Sequence, residues 1–128
     1  MRERQWSRRR RKKERTNMSE NNGTKRPFVI TRGSQSGVHA GELETIGERF
    51  IVLRESRRIW YWEGAASLSE IAVYGCAEDK RKLCLFAAKV DCQEIATSDV
   101  CEIIHCQPAG EEMIRTQPEW RAARSSEV

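Results

Sequence analysis

No stretch of this chain approaches the ~18–20 consecutive apolar residues needed to cross a bilayer. No apolar segment follows its positive N-terminus either, so neither a membrane span nor a secretory leader is expected, and the reading is cytoplasmic. Histidine is scarce, with only His39 and His105. Neither sits in a nucleophile–base arrangement, and no Gly-x-Ser-x-Gly or phosphate-loop pattern occurs, which argues against an enzyme. The acids Asp91, Glu94, Asp99 and Glu102 read as a solvated face rather than as paired catalytic carboxylates. No Cys-x-x-Cys is present among Cys76, Cys84, Cys92, Cys101 and Cys106. Cys101-x-x-x-His105-Cys106 is half a metal site without a second half at a familiar spacing. An odd number of cysteines without a leader points to reduced thiols filling strand interiors. No metal and no cofactor is expected.

What is present is unevenly distributed. Residues 1–26 hold eleven Lys+Arg and three acids, a net +8, so the whole-chain +4 leaves −4 for the rest. A basic, apolar-poor tail over 1–26 is expected to be disordered. Met18 opens a second plausible start, so residues 1–17 are either an over-extended start or a nucleic-acid-binding arm. The remainder reads as a single β-rich domain over 27–120, with a frayed C-terminus over 121–128.

Short apolar runs separated by glycine-bearing turns predict an antiparallel meander. The expected strands are Phe28 to Arg32, Val38 to Ile46 (loosened by Gly41), Phe50 to Leu53, and Arg57 to Trp62. One helix is predicted over 68–74. Ser67 caps it, Glu70 completes a capping box, and Gly75 ends it. Strands are expected to resume over Leu83 to Ala88, Lys89 to Ile95 and Val100 to His105. Pro108 and Gly110 then break the chain, and Glu111 to Thr116 adds a helical turn. Trp120 is expected to plug the sheet edge. The fold class is α+β, mostly β: a small antiparallel sheet or partial barrel with one short capped helix.

The densest chemistry lies in Arg57-Arg-Ile-Trp-Tyr-Trp62. Alternation along a strand puts Arg58, Trp60 and Trp62 on one face and Arg57, Ile59 and Tyr61 on the other. A guanidinium beside a flat ring suits a ligand carrying phosphate and base. The competing reading makes Trp60 and Trp62 core, with any buried arginine neutralised by Glu63 or Glu70. Gly64-Ala-Ala-Ser67, just before the helix, is a weak additional anion signal.

Arg57-Arg-Ile-Trp-Tyr-Trp-Glu-Gly-Ala-Ala-Ser-Leu-Ser-Glu-Ile-Ala72 is similar to a segment of small proteins encoded by phages and prophages. Ser36-Gly-Val-His-Ala-Gly-Glu-Leu43, Cys84-Leu-Phe86, Glu102-Ile-Ile-His-Cys106 and Trp120 extend the match over about residues 28–120. The chain departs from that pattern at Ser56, in the charged loop Glu78-Asp-Lys-Arg-Lys82 and in its basic tail. The group resembles the Thoeris anti-defence sponges, which bind a cyclic ADP-ribose isomer. The resemblance implies a β-rich, non-catalytic protein that sequesters a nucleotide immune messenger in the host cytoplasm. The expected ligand-binding residues are Arg57 and Arg58 for phosphate, Trp60 or Phe86 for the base, and Arg115 closing the site. A homo-oligomer is expected, because a domain this small builds deep pockets more easily between subunits. Two other readings stay open: a nucleic-acid-binding accessory protein acting through residues 1–17, and a virion assembly component.

Overall fold

The structure is a computed structural model that describes residues 26–122. Residues 1–25 of the basic tail, Met18 among them, and the last six positions lie outside the described residues; Arg26, counted with that tail, is described and pairs with Glu42 and Glu44.

Strands β1 (Phe28–Gly33), β2 (Gly37–Ile46) and β3 (Phe50–Tyr61) form an antiparallel meander, as the turn signals predict. The two strands expected between Phe50 and Trp62 are instead one continuous β3. A β-bulge takes up the irregularity. The β2–β3 register shifts between Ala40 and Glu42, opposite Glu55, whose φ is 50°. Gly41 faces this bulge, where a Cβ would lie 2.9 Å from both the Arg54 carbonyl and the Ser56 Cα. It therefore permits close strand approach rather than loosening β2. The extra residue also swaps faces. Ile51 and Leu53 join one core cluster, while Ile59, at the same sequence parity, joins the other.

The remaining strands are β4 (Leu85–Phe86), β5 (Val90–Ala96) and β6 (Val100–His105). The sheet runs β4-β3-β2-β1-β6, with β5 pairing the first half of β3 on the edge that β4 extends. It is a six-stranded, antiparallel, unclosed sheet, and the protein is α+β and mostly β. β5 and β6 flank opposite edges yet are joined only by the 3-10 turn Thr97–Asp99. Four strand spacings of about 4.8 Å exceed what this connection spans at about 3.4 Å per residue. The sheet must therefore curl, bringing its two edges together at that end.

Helix α1 (Leu68–Tyr74) forms where predicted, with Ser67 Oγ accepting the Glu70 N–H. Helix α2 runs Pro108–Thr116, so Pro108 and Gly110 do not break the chain. Proline occupies the first turn, where no N–H is needed. Gly110 is a contact point, since a Cβ there would lie 2.1 Å from the Ala72 carbonyl. The segment expected as a strand from Leu83 contains only the two residues of β4, preceded by the 3-10 helix Glu78–Leu83. Its run of charges leaves no apolar face to bury.

Both helices cover one sheet face, where Phe28, Ile30, Ala40, Ile59, Phe86, Ile71 and Ile114 form the larger core. On the other face Val29, Leu43, Ile51, Leu53 and Ile95 form a smaller one inside the curl. Trp120 donates its backbone N–H to the Phe86 carbonyl and keeps a half-exposed ring beside the β4 edge. Among the described residues no helix is long and apolar enough to cross a membrane.

Candidate functional site

The curl leaves a cleft of about 660 Å³ on the face opposite the helices. Its walls come from the β1–β2 turn (Ser34 to Ser36), from His39 and Arg58 on neighbouring strands, and from Gln93 to Ala96 with Ser98 and Asp99. Asp99 fastens one end. Its Oδ1 accepts the Ser34 hydroxyl and the Gln35 N–H, each at 2.9 Å, and its Oδ2 accepts the Ser36 N–H at 2.8 Å. The Ser36 hydroxyl makes no hydrogen bond of good geometry, yet it lies against this carboxylate. It is the first influence holding Asp99 well below the usual carboxylate range, followed by the Ser36 N–H. Asp99 is thus a structural anchor with little capacity left for a ligand. Gly33 makes room for this knot, since a Cβ there would meet Ser36 Oγ at 2.1 Å.

His39 stands on β2 directly across from Arg58 on β3 and Thr31 on β1. It is 1% exposed, and neither ring nitrogen has a hydrogen-bond partner. Burial, and then the Arg58 guanidinium, push its pKa down to about 4. At neutral pH it is an uncharged ring with one donor and one acceptor unused, at the wall of a cleft. Buried polar groups are rarely left so. Arg58 also reaches Trp60, lying 5.2 Å from its ring centroid. Trp60 is 57% exposed and is not core.

The five residues expected at the site divide between the two faces. Arg58 and Trp60 lie on the cleft side. Arg57, Phe86 and Arg115 lie on the helix side. Arg57 is buried without a carboxylate partner, so neither Glu63 nor Glu70 neutralises it. Its guanidinium donates instead to the carbonyls of Ala87 (2.8 Å), Ile114 (2.8 Å) and Gln117 (2.7 Å), with a longer contact to Phe86. Burial lowers its pKa, partly opposed by Glu119. Phe86 is fully buried beneath it and offers no open ring face for stacking. Arg115 donates to Glu111 and Glu42 and lies over the Phe28 ring. Arg57 and Arg115 do share the wall of a second cavity of about 360 Å³.

Two further expectations change. Trp62 lies beyond the end of β3 and packs against the helix-face core, with its indole N–H on the Ala65 carbonyl. It does not share a face with Trp60. The backbone before α1 already has its anion, because Glu70 Oε1 accepts the Ala66 N–H at 2.9 Å.

Residues 26–114 match a family described only as a domain of unknown function, DUF6948. The chain belongs to this family. No curated protein and no solved structure matches it.

His39, Gln93 and Asp99 were not singled out as binding residues by sequence reasoning. A lone histidine on a strand carries no motif. Its setting arises only when β1, β3 and the β5–β6 end of the sheet come together around one cleft. The one usable signal was Ser36-Gly-Val-His39, within a segment that carries the resemblance.

Proposed function

We propose that this DUF6948 protein binds a small phosphorylated nucleotide in the curled-face cleft and sequesters it without chemistry. The observation that carries the reading is the unpartnered His39 beside Arg58, at the wall of a cleft large enough for such a ligand. Pockets for small ligands run from about 300 to 1,000 Å³, and this one is lined mainly by polar and charged side chains, which suits a polar, charged ligand. Arg58 supplies a charged donor for phosphate, and exposed Trp60 beside it supplies stacking surface for a base. Gln93 and Glu94 offer acceptors for the amino groups of a base.

The resemblance to phage and prophage sponges makes cyclic ADP-ribose isomers the first ligands to try, in a protein acting in the host cytoplasm. A homo-oligomer fits this reading. Trp60, Tyr61 and Trp120 are large exposed rings on so small a domain, and a second subunit would cover part of them.

Calorimetric titration against cyclic ADP-ribose isomers and cyclic oligonucleotides tests the proposal. At least one is expected to bind below about 10 μM and to be recovered unchanged after heat denaturation. If none binds, or if the recovered ligand is cleaved, the sequestration reading falls. The +8 charge of residues 1–26 supports nucleic-acid binding as the second reading. Polynucleotide affinity that falls steeply with salt, and is lost in a chain starting at Met18, would favour it.

A further inference from the structure

We propose that an oxyanion of the ligand sits between Arg58 and His39, and that His39 takes up a proton as it binds. This inference rests on the nucleotide reading of the same cleft, and it names how the phosphate end is held.

The geometry makes the argument. His39 and Arg58 are cross-strand partners on one face, so their side chains project into the same space. Arg58 has no carboxylate within salt-bridge distance among the described ion pairs. His39 is almost fully buried at the cleft wall, with both ring nitrogens unsatisfied. A neutral imidazole offers an oxyanion one donor and one acceptor, and the acceptor would repel it. Protonation turns that acceptor into a second donor. Without ligand, burial and Arg58 disfavour the charged ring. An anion placed between the two cations reverses the sign of the local field and favours it.

The other groups facing His39 do not supply this. On β1 its neighbour is Thr31, and beyond that lies Ile103 of β6. His105, the other histidine, is exposed and lies opposite Val29. Gln93 on β5 is neutral. Glu94 is exposed on the cleft wall, and Asp99 is already engaged with the Ser34–Ser36 turn. The proton comes from solvent and returns there on release, so no bond is made or broken in the ligand.

Nuclear magnetic resonance of the imidazoles tests this directly, because the chain has only two histidines. Two probes carry the anion: sodium sulfate, whose charge is constant across the range, and ADP-ribose, whose diphosphate stays ionised while its adenine ring gains a proton only at the acid end. His39 is expected to titrate near 4 in the free protein and at least one unit higher with either probe. Sodium chloride at equal ionic strength should not move it. The His105 signals serve as the internal control. For ADP-ribose, affinity at pH 5 should exceed that at pH 7.5 by about twofold if the bound value lies one unit higher and by about tenfold if it lies two units higher, through proton linkage. His39→Gln should abolish that ratio, and Arg58→Ala should abolish the sulfate effect. ADP-ribose binding with an unmoved His39 overturns the inference and leaves the nucleotide reading standing. A His39 response to sulfate while no nucleotide binds keeps the oxyanion site and overturns the nucleotide reading. No response to either probe, with no nucleotide bound, overturns both.

Discussion

Arg57 and Arg58 are adjacent in sequence and separated by the thickness of the sheet. Arg57 is buried on the helix side, where its guanidinium ties three carbonyls from the β4–β5 connection and the end of α2. Arg58 stands on the cleft side, over Trp60 and across from His39. The same chemical group is a structural clamp in one position and an available donor in the next.

Their alanine variants should therefore differ in kind. Arg58→Ala should keep its thermal midpoint within about 2 °C of the parent and weaken nucleotide binding at least tenfold, or about 1.4 kcal/mol. Arg57→Ala leaves several buried carbonyls unsatisfied and should lose about 3 kcal/mol or more of stability. Thermal unfolding and titration on both variants check this. A stable Arg57→Ala protein with impaired binding would move the site to the helix side.

Acid should destabilise the fold through His39. Its folded pKa of about 4 lies below the unfolded value of about 6.5. Between those values the unfolded chain holds the extra proton, so stability falls as pH drops through that window. The full loss is on the order of 2–3 kcal/mol by pH 4. Urea unfolding at pH 7 and pH 4 measures it. His39→Gln should flatten the change, whereas His105→Gln should not.

Glycine substitutions should separate contact from conformation. Gly110→Ala drives a Cβ to 2.1 Å from the Ala72 carbonyl, where α1 and α2 meet, and should cost about 2–3 kcal/mol. Gly37→Ala meets nothing within 4 Å but sits at φ +85°. It should cost about 1 kcal/mol through backbone strain alone. Denaturant midpoints of the two variants test the order.

Thiol reactivity should follow burial. All five cysteines are free, with Cys92 and Cys101 exposed. Burial pushes the Cys76 and Cys106 thiols up to about 12, and Cys84 is buried as well. Brief alkylation of the folded protein should label Cys92 and Cys101 first, and unfolding should release all five. Rapid labelling of Cys76 would show that the helix-side core opens readily.

Much of the fold was legible because it rests on local rules. Glycine-bearing turns bounded β1 and β2, and Ser67 with Glu70 and Gly75 fixed α1 to the residue. The errors fell where distant residues decide. Pro108 and Gly110 read locally as breakers, but one suits a helix's first turn and the other admits α1. Phe50 to Trp62 read as two strands because nothing local announces that Gly41, on another strand, can absorb a bulge. Phe86 and Arg57 read as ligand groups because a stretch rich in rings and cations does not reveal which of them the helices will cover.

By itself, then, the sequence determined the class and the local pieces: a meander, a capped helix, free thiols, and a strand dense in arginine and aromatic rings. Turn, cap and alternation rules act over a few residues, so a chain states them directly. Only the tertiary structure decided which arginine is free. The Glu55 bulge swaps the faces of β3, α2 closes over Arg57, and the three-residue Thr97–Asp99 link forces the curl that isolates His39 beside Arg58. Those outcomes depend on contacts between residues tens of positions apart, and no local pattern encodes them.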